Sequence, residues 1–345
     1  MLNLIGSFSM LKEALLYKKL AGKKVSCFLC SHRCLISDGN FGICQVRQNK
    51  DGALYTYAYG EVVAVNIDPI EKKPLFHMLP GSKSFSIASV GCNFACGFCQ
   101  NWQISQKKEA DKRKRASEPM SPEEIVKEAL SSKCKSISYT YTEPTVFFEY
   151  ALETAKLARA KGLYNIFVTN GYMTRESLEM LKPYLDAANV DLKFFNDESY
   201  RQVCGGHLGP VLENISLMRE MHIWVEVTTL LVPGKNDSLE ELKGIASFLA
   251  GAGKEIPWHI SRFHPDYKMS DLEATPLSKL KEAYKIGKDA GLRYVYIGNV
   301  LEEEKTFCHN CGEGLISRIG FEVFENNLKN GRCPDCDTAL DGIAL

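Results

Sequence analysis

The sequence predicts an α/β protein built as a partial (β/α) barrel, with a small cysteine-rich metal-binding segment at each end. Three observations carry this expectation. Short β-rich runs alternate with amphipathic helical segments through the middle of the chain, the cysteines gather in three separate groups, and the middle group follows the first central run directly. Repeated strand-then-helix units require parallel strands with right-handed crossovers, which leaves a doubly wound sheet or a complete or partial barrel. In barrels of this kind chemistry collects after the C-terminal ends of the strands, where Cys92 falls.

Strands are expected at residues 85–91, 136–141, 165–169, 188–193, 224–232, 258–263 and 294–297. Helical spacing of apolar residues appears at 122–130, 146–161, 177–185, 239–249 and 279–290, and Gly162, Gly251 and Gly291 supply stops. The cysteine groups divide the chain into an N-terminal metal-binding segment (1–50), a connecting segment packed on the core (51–84), the barrel (85–302) and a C-terminal ribbon-like segment (303–345).

Apolar residues form 45% of the 345 positions and charged residues 24%, which excludes a disordered or fibrous chain. Forty-two basic residues balance 42 acidic ones, so no global field draws nucleic acid or an anionic membrane. The basic run Lys107–Arg115 reads as a solvated loop. No stretch approaches the ~20 apolar residues of a membrane helix, and the first residues lack the pattern of a secretory signal. Thirteen cysteines in such a chain point to metal or redox chemistry in a reducing compartment, and a cytoplasmic location is expected.

The segment Gly91-Cys92-Asn93-Phe94-Ala95-Cys96-Gly97-Phe98-Cys99-Gln100-Asn101-Trp102 carries a Cys-x3-Cys-x2-Cys spacing that chance would produce only ~0.02 times in a chain of this composition. Three thiolates on one loop can each bind one iron of a cubane and leave the fourth iron open. A structural zinc site wants four closed ligands, and the loop has no fourth. At the C-terminus, Cys308 and Cys311 face Cys333 and Cys336 across 21 residues, the paired knuckles of a zinc ribbon. At the N-terminus, Cys27, Cys30, Cys34 and Cys44 supply four thiolates for zinc or an auxiliary iron–sulfur cluster. Cys134 and Cys204 read as ordinary small apolar residues.

The cysteine loop, with Phe98 before its third cysteine, resembles the radical-SAM signature. From about residue 22 onward the chain is most similar to the radical-SAM component of the AmmeMemoRadiSam system, a relative of pyruvate formate-lyase activating enzymes. The similarity runs through Asp68-Pro69-Ile70-Glu71-Lys72-Lys73-Pro74-Leu75, Pro80-Gly81, Cys99-Gln100-Asn101-Trp102 and Tyr296-Ile297-Gly298-Asn299.

That resemblance implies a [4Fe–4S] cluster on Cys92, Cys96 and Cys99. It implies reductive cleavage of S-adenosylmethionine to a 5′-deoxyadenosyl radical, and hydrogen abstraction from an unidentified substrate. It also implies an electron donor and the other AmmeMemoRadiSam proteins as partners. The cofactor-binding residues it points to are Phe98, Asn101, Thr142, Glu143, Thr169, Asn170, Asp191, Lys193 and His259. Val168 stands where glycyl-radical activases carry an aspartate. Two other readings are an activase that places a glycyl radical on a partner protein, and a metal-binding scaffold for RNA or protein without chemistry.

Overall fold

A computed structural model of the chain describes residues 11–106 and 119–345, and the basic run at 107–115 lies outside the described residues. Its central sheet has eight strands: β1 (Val62–Pro69), β2 (Lys83–Ser89), β3 (Ser136–Tyr139), β4 (Tyr164–Thr169), β5 (Ala187–Asp191), β6 (Trp224–Leu231), β7 (Trp258–Arg262) and β8 (Val295–Gly298). They lie in sequence order across the sheet, β1 antiparallel to β2 and every later pair parallel. Each parallel step returns through a helix: α1 (Pro122–Ser131), α2 (Phe148–Ala160), α3 (Arg175–Leu181), α4 (Leu208–Glu220), α5 (Leu239–Ala252) and α6 (Leu277–Asp289). This is the partial barrel the sequence predicts. No helix among the described residues is long and apolar enough to cross a membrane.

Local chemistry sets the element ends. Ser121 and Glu124 close a capping box at the start of α1, with Pro122 at the first helical position. Tyr141 adopts a left-handed φ of 62°, which stops β3 short of the expected strand end. Helix α4 has no counterpart in the sequence reading. Gly209 and Pro210 look like breakers there, but both fall in the first turn, where proline lacks no hydrogen bond the helix needs.

The connecting segment does more than pack on the barrel, because it supplies β1, the antiparallel edge of the sheet. The expected division at residue 50 is occupied by a hairpin. Arg47–Lys50 pairs with Ala53–Thr56 across Asp51 and Gly52, whose φ angles of 55° and 81° suit a two-residue hairpin loop. Arg47 in that hairpin donates from Nη2 to both carboxylate oxygens of Glu149 on α2, at 2.5 and 2.7 Å. Each of these side chains is only 1% exposed, so the pair fastens the N-terminal module to the barrel.

The C-terminal segment forms three antiparallel strands, β9 (Glu303–Phe307), β10 (Gly314–Ile319) and β11 (Glu322–Asn326). Its buried Arg318 donates to Phe76 O at 2.7 Å and Thr306 Oγ1 at 2.8 Å, and lies 3.7 Å from Glu71. A second buried network sits beside it. Glu226 on β6 accepts from the backbone N–H groups of Phe76 and His77, from Trp224 Nε1, and pairs with His259 Nε2 at 2.7 Å. Burial works against this carboxylate, but the His259 hydrogen bond holds it below its usual range.

The His259 ring stacks on Tyr296 and meets Phe76 edge-on. His259, expected from sequence among the cofactor-binding residues, thus pairs with Glu226 and packs on Phe76 of the connecting segment. His77 places Nδ1 2.7 Å from the Asp341 carbonyl, which can only accept, so its Nε2 accepts from the Tyr296 hydroxyl at 2.7 Å.

Glu149→Ala leaves the Arg47 guanidinium uncompensated and should lower the unfolding free energy by ~3–5 kcal/mol in denaturant melts; a loss under ~1 kcal/mol would show that the pair does not fasten the module. Burial lowers the His77 ring from 6.5 to about 4. Between those pH values the unfolded chain binds the extra proton, so stability falls as pH falls across that window, by up to ~3 kcal/mol. Thermal melts should show this slope reduced in His77→Gln; equal slopes would mean that His77 is not held neutral.

Candidate active site

The chain leaves β2, turns at Gly91 (φ 100°) and enters the cysteine loop. The loop has no regular structure of its own and is held by backbone hydrogen bonds from elsewhere. Ala95 N donates to Cys204 O at 2.8 Å and Gly97 N to Val203 O at 3.2 Å, both on the single π-turn Tyr200–Cys204. On the other side, Lys268 N donates to Gly97 O at 3.1 Å. Gly206 allows the close approach, since a side chain there would begin 2.4 Å from the Phe94 ring. Cys204, read from sequence as an ordinary apolar residue, is buried with its thiol close to that of Cys96. Only the fold brings the two together.

A cavity of about 540 Å³ opens against this loop. Cys92, Cys96 and Cys99 line it, together with Phe98 and Asn101 from the same loop. The segment after β3 adds Thr142 and Glu143, the loop after β4 adds Thr169 and Asn170, and the end of β5 adds Asp191 and Lys193. The parallel sheet thus brings eight of the nine residues expected at a cofactor to one space, and His259 is the one absent from its wall.

The electrostatics of the wall are specific. Glu143 is buried and caps the turn Pro144–Phe147. Its Oε1 accepts from Thr145 N at 3.0 Å, Thr145 Oγ1 at 2.5 Å and Thr169 Oγ1 at 2.8 Å, while Oε2 accepts from Asn170 N at 2.8 Å. Burial nevertheless pushes its carboxyl up. Asn170 Nδ2 in turn donates to Asn93 Oδ1 at 2.7 Å, so Glu143 shapes the β4 loop and that loop braces the cysteines. Lys193 Nζ lies 2.9 Å from Asp191 Oδ2 and 5.7 Å from the centre of the Phe98 ring. Burial opposes its charge, but Asp191 and the nearby thiols raise the ammonium well above its ordinary range.

Further wall residues were not legible in the sequence. Thr228 on β6 lines the cavity with a buried hydroxyl that has no hydrogen-bond partner, a ready donor for a bound polar group. Lys73, paired with Asp68 at 2.6 Å, and Lys72 also line the cavity. Burial lowers the Lys73 ammonium to about 8. Phe321 reaches the wall from the turn between β10 and β11, so the C-terminal segment closes part of the cavity. Strand-end position was the only available hint for Thr228, and no local pattern marks Phe321.

The donor set fits an iron–sulfur cluster with an open iron. Three thiols occupy one loop, Ser105 Oγ lies 3.2 Å from Cys99 Sγ, and the remaining wall offers an ammonium, a carboxylate and an unpartnered hydroxyl for a zwitterionic ligand. The C-terminal site is different in kind. The sulfurs of Cys308, Cys311, Cys333 and Cys336 all lie within 4.8 Å of one another, with Cys308–Cys336 and Cys311–Cys333 each at 3.6 Å.

Comparison with known proteins agrees with this geometry. The sequence profile of the Radical SAM superfamily matches residues 86–249. The uncharacterized protein MJ0808 of Methanocaldococcus jannaschii is 45% identical over 336 residues, which are 96% of this chain and 99% of that protein. A putative glycyl-radical enzyme activating enzyme of the same organism, MJ1632, is 27% identical over 62% of this chain and 79% of its own. Among solved structures, a radical SAM methyltransferase from Sphaerobacter thermophilus shares the fold with a TM-score of 0.50 at 15% identity, covering 64% of this chain and 68% of that one. With a matching profile that opens on the cysteine loop and a partial barrel that delivers its strand ends to that loop, the chain belongs to the radical SAM superfamily.

Proposed function

We propose that the chain cleaves S-adenosylmethionine in the cavity beside Cys92, Cys96 and Cys99 and removes a hydrogen atom from a substrate bound next to it. The observation that supports this most is the convergence of the three-cysteine loop with Glu143, Asp191, Lys193 and Thr228 on one cavity of about 540 Å³. A [4Fe–4S] cluster on those cysteines supplies one-electron cleavage of the sulfonium C–S bond. The protein's part is to bind, orient and shield. Lys193 and Asp191 present a cation and an anion, matching the carboxylate and ammonium of the methionyl group. Thr169, Asn170 and Thr142 offer hydroxyl and amide groups, while Glu143 holds the β4 loop in place. Phe98 and Asn101 complete the wall on the loop side.

The substrate side is bounded by Lys72, Lys73 and Phe321, and we place the enzyme with the other AmmeMemoRadiSam proteins on the sequence similarity from about residue 22 onward. A protein substrate carrying a glycyl radical is the second reading, favoured by relatives named as putative glycyl-radical enzyme activating enzymes. We place the chain in the cytoplasm because its three cysteine groups suit metal centres, whose thiolate ligands a reducing compartment keeps available. For the C-terminal site we propose zinc. Zn–S bonds of ~2.3 Å set tetrahedral sulfurs ~3.8 Å apart, close to the 3.6 Å pairs observed.

Anaerobically reconstituted protein with dithionite should form 5′-deoxyadenosine from S-adenosylmethionine, and Cys92→Ala, Cys96→Ala or Cys99→Ala should abolish it. Asp191→Asn and Lys193→Met should each weaken S-adenosylmethionine binding by about tenfold or more, the scale of one lost charge-assisted hydrogen bond, while the cluster absorbance stays unchanged. Unaltered affinity in both variants would remove the pair from the pocket. Metal analysis of the full chain should find about one zinc lost in Cys333→Ser/Cys336→Ser, with a lowered melting temperature; zinc retained at full stoichiometry would refute the ribbon site.

A further inference from the structure

The four N-terminal cysteines stand outside the cavity just described, yet they meet around a space of their own. Cys27, Cys30, Cys34 and Cys44 all line one enclosed cavity of about 20 Å³. Local turns bring them there. Cys27 N donates to Cys34 O at 2.9 Å, Arg33 N closes back on Cys30 O at 3.0 Å, and Gln45, with a φ of 60°, reverses the chain after Cys44. The rest of the wall is largely aliphatic, including Leu29, Ile36 and Ile43.

Four neutral thiols in such a space would be tolerated as small apolar groups. They do not account for Arg47. This guanidinium also lines the cavity, is 1% exposed, and has its Nη1 3.9 Å from Cys27 Sγ. Glu149 takes Nη2, and the Leu15 carbonyl accepts from Nη1 at 3.0 Å, but the buried Nε–H has no acceptor among the described residues. A buried charged donor without a partner is costly, and an anionic group held by the four sulfurs would relieve it.

Spacing separates a mononuclear ion from a cluster. Among the described residues, the C-terminal four are the group whose sulfurs all fall within 4.8 Å, as one tetrahedral ion requires. Neither the N-terminal four, which line a shared space, nor Cys92, Cys96 and Cys99 form such a group among the described residues. In this respect the N-terminal group is like the cysteines that suit a polynuclear centre. It also abuts them. Cys44 and Cys92 line a common cavity of about 170 Å³, and His32 Nε2 lies 2.7 Å from the Asn93 carbonyl.

We propose that Cys27, Cys30, Cys34 and Cys44 hold a second iron–sulfur cluster, seated against Arg47 and next to the cysteine loop of the radical-SAM site. The test uses the full chain carrying Cys92→Ala, Cys96→Ala and Cys99→Ala, reconstituted anaerobically with iron and sulfide. It requires no cleavage of S-adenosylmethionine, so its outcome is independent of the function proposed above. About two to four irons per chain with equal sulfide should remain, with a cluster Mössbauer signature. Adding Cys27→Ser and Cys44→Ser should remove that iron and leave the C-terminal zinc, whose retention together with an unchanged circular dichroism spectrum reports that the chain still folds. About one extra zinc in place of iron, or no metal beyond the C-terminal site, would overturn the proposal in the triple variant alone. So would iron that survives the added serines in a folded chain.

Discussion

Parallel strands must all finish on the same edge of their sheet, and the arrangement of this protein depends on that constraint. Each of β2 to β7 returns through a helix, so the segments after β2, β3, β4 and β5 are delivered side by side. Cys92 follows the first of these strands, Glu143 the second, Asn170 the third and Lys193 the fourth. Residues separated by a hundred positions thus share one wall. The sheet interior is close to continuously buried, which leaves the strand ends as the place where polar groups gather.

The cysteine loop is irregular, and its shape comes from hydrogen bonds lent by neighbours. The π-turn Tyr200–Cys204 supplies two backbone acceptors, Asn170 braces Asn93, and Glu143 fixes Asn170. π-turns within helices occur often at functional sites, and this one ends at Cys204, close to Cys96. Hydrogen bonds of this kind fix the position of the loop, which is what an oriented reaction requires.

Buried charges join the appended modules to the barrel. Arg47 with Glu149 fastens the N-terminal module, Arg318 with Glu71 the C-terminal one, and Glu226, accepting from the Phe76 and His77 backbone, the connecting segment. Such pairs add little net stability compared with apolar packing, but breaking one leaves an uncompensated charge, so they specify a single docking arrangement. The modules are therefore part of the site's construction. Phe321 lines the main cavity from the C-terminal strands, and Cys44 shares a cavity with Cys92 from the N-terminal ones.

Much of this organisation is written locally in the sequence. The alternation of β-rich and helical periods, the Cys-x3-Cys-x2-Cys loop placed after a strand, and the paired knuckles at the C-terminus depend on residues close together in the chain. They determined the fold class, the radical-SAM signature and the three cysteine groups. Tertiary structure decided what depends on register and on distant neighbours. It assigned His259 to Glu226 rather than to the cavity wall and exposed the unpartnered hydroxyl of Thr228 to that cavity. It also set Cys204 beside Cys96, and closed the C-terminal four, among the described residues, to the spacing of one ion. None of these follows from local spacing, because a side chain's partner across a sheet is set by the length and path of every crossover between them, and that path leaves no periodic mark in the sequence.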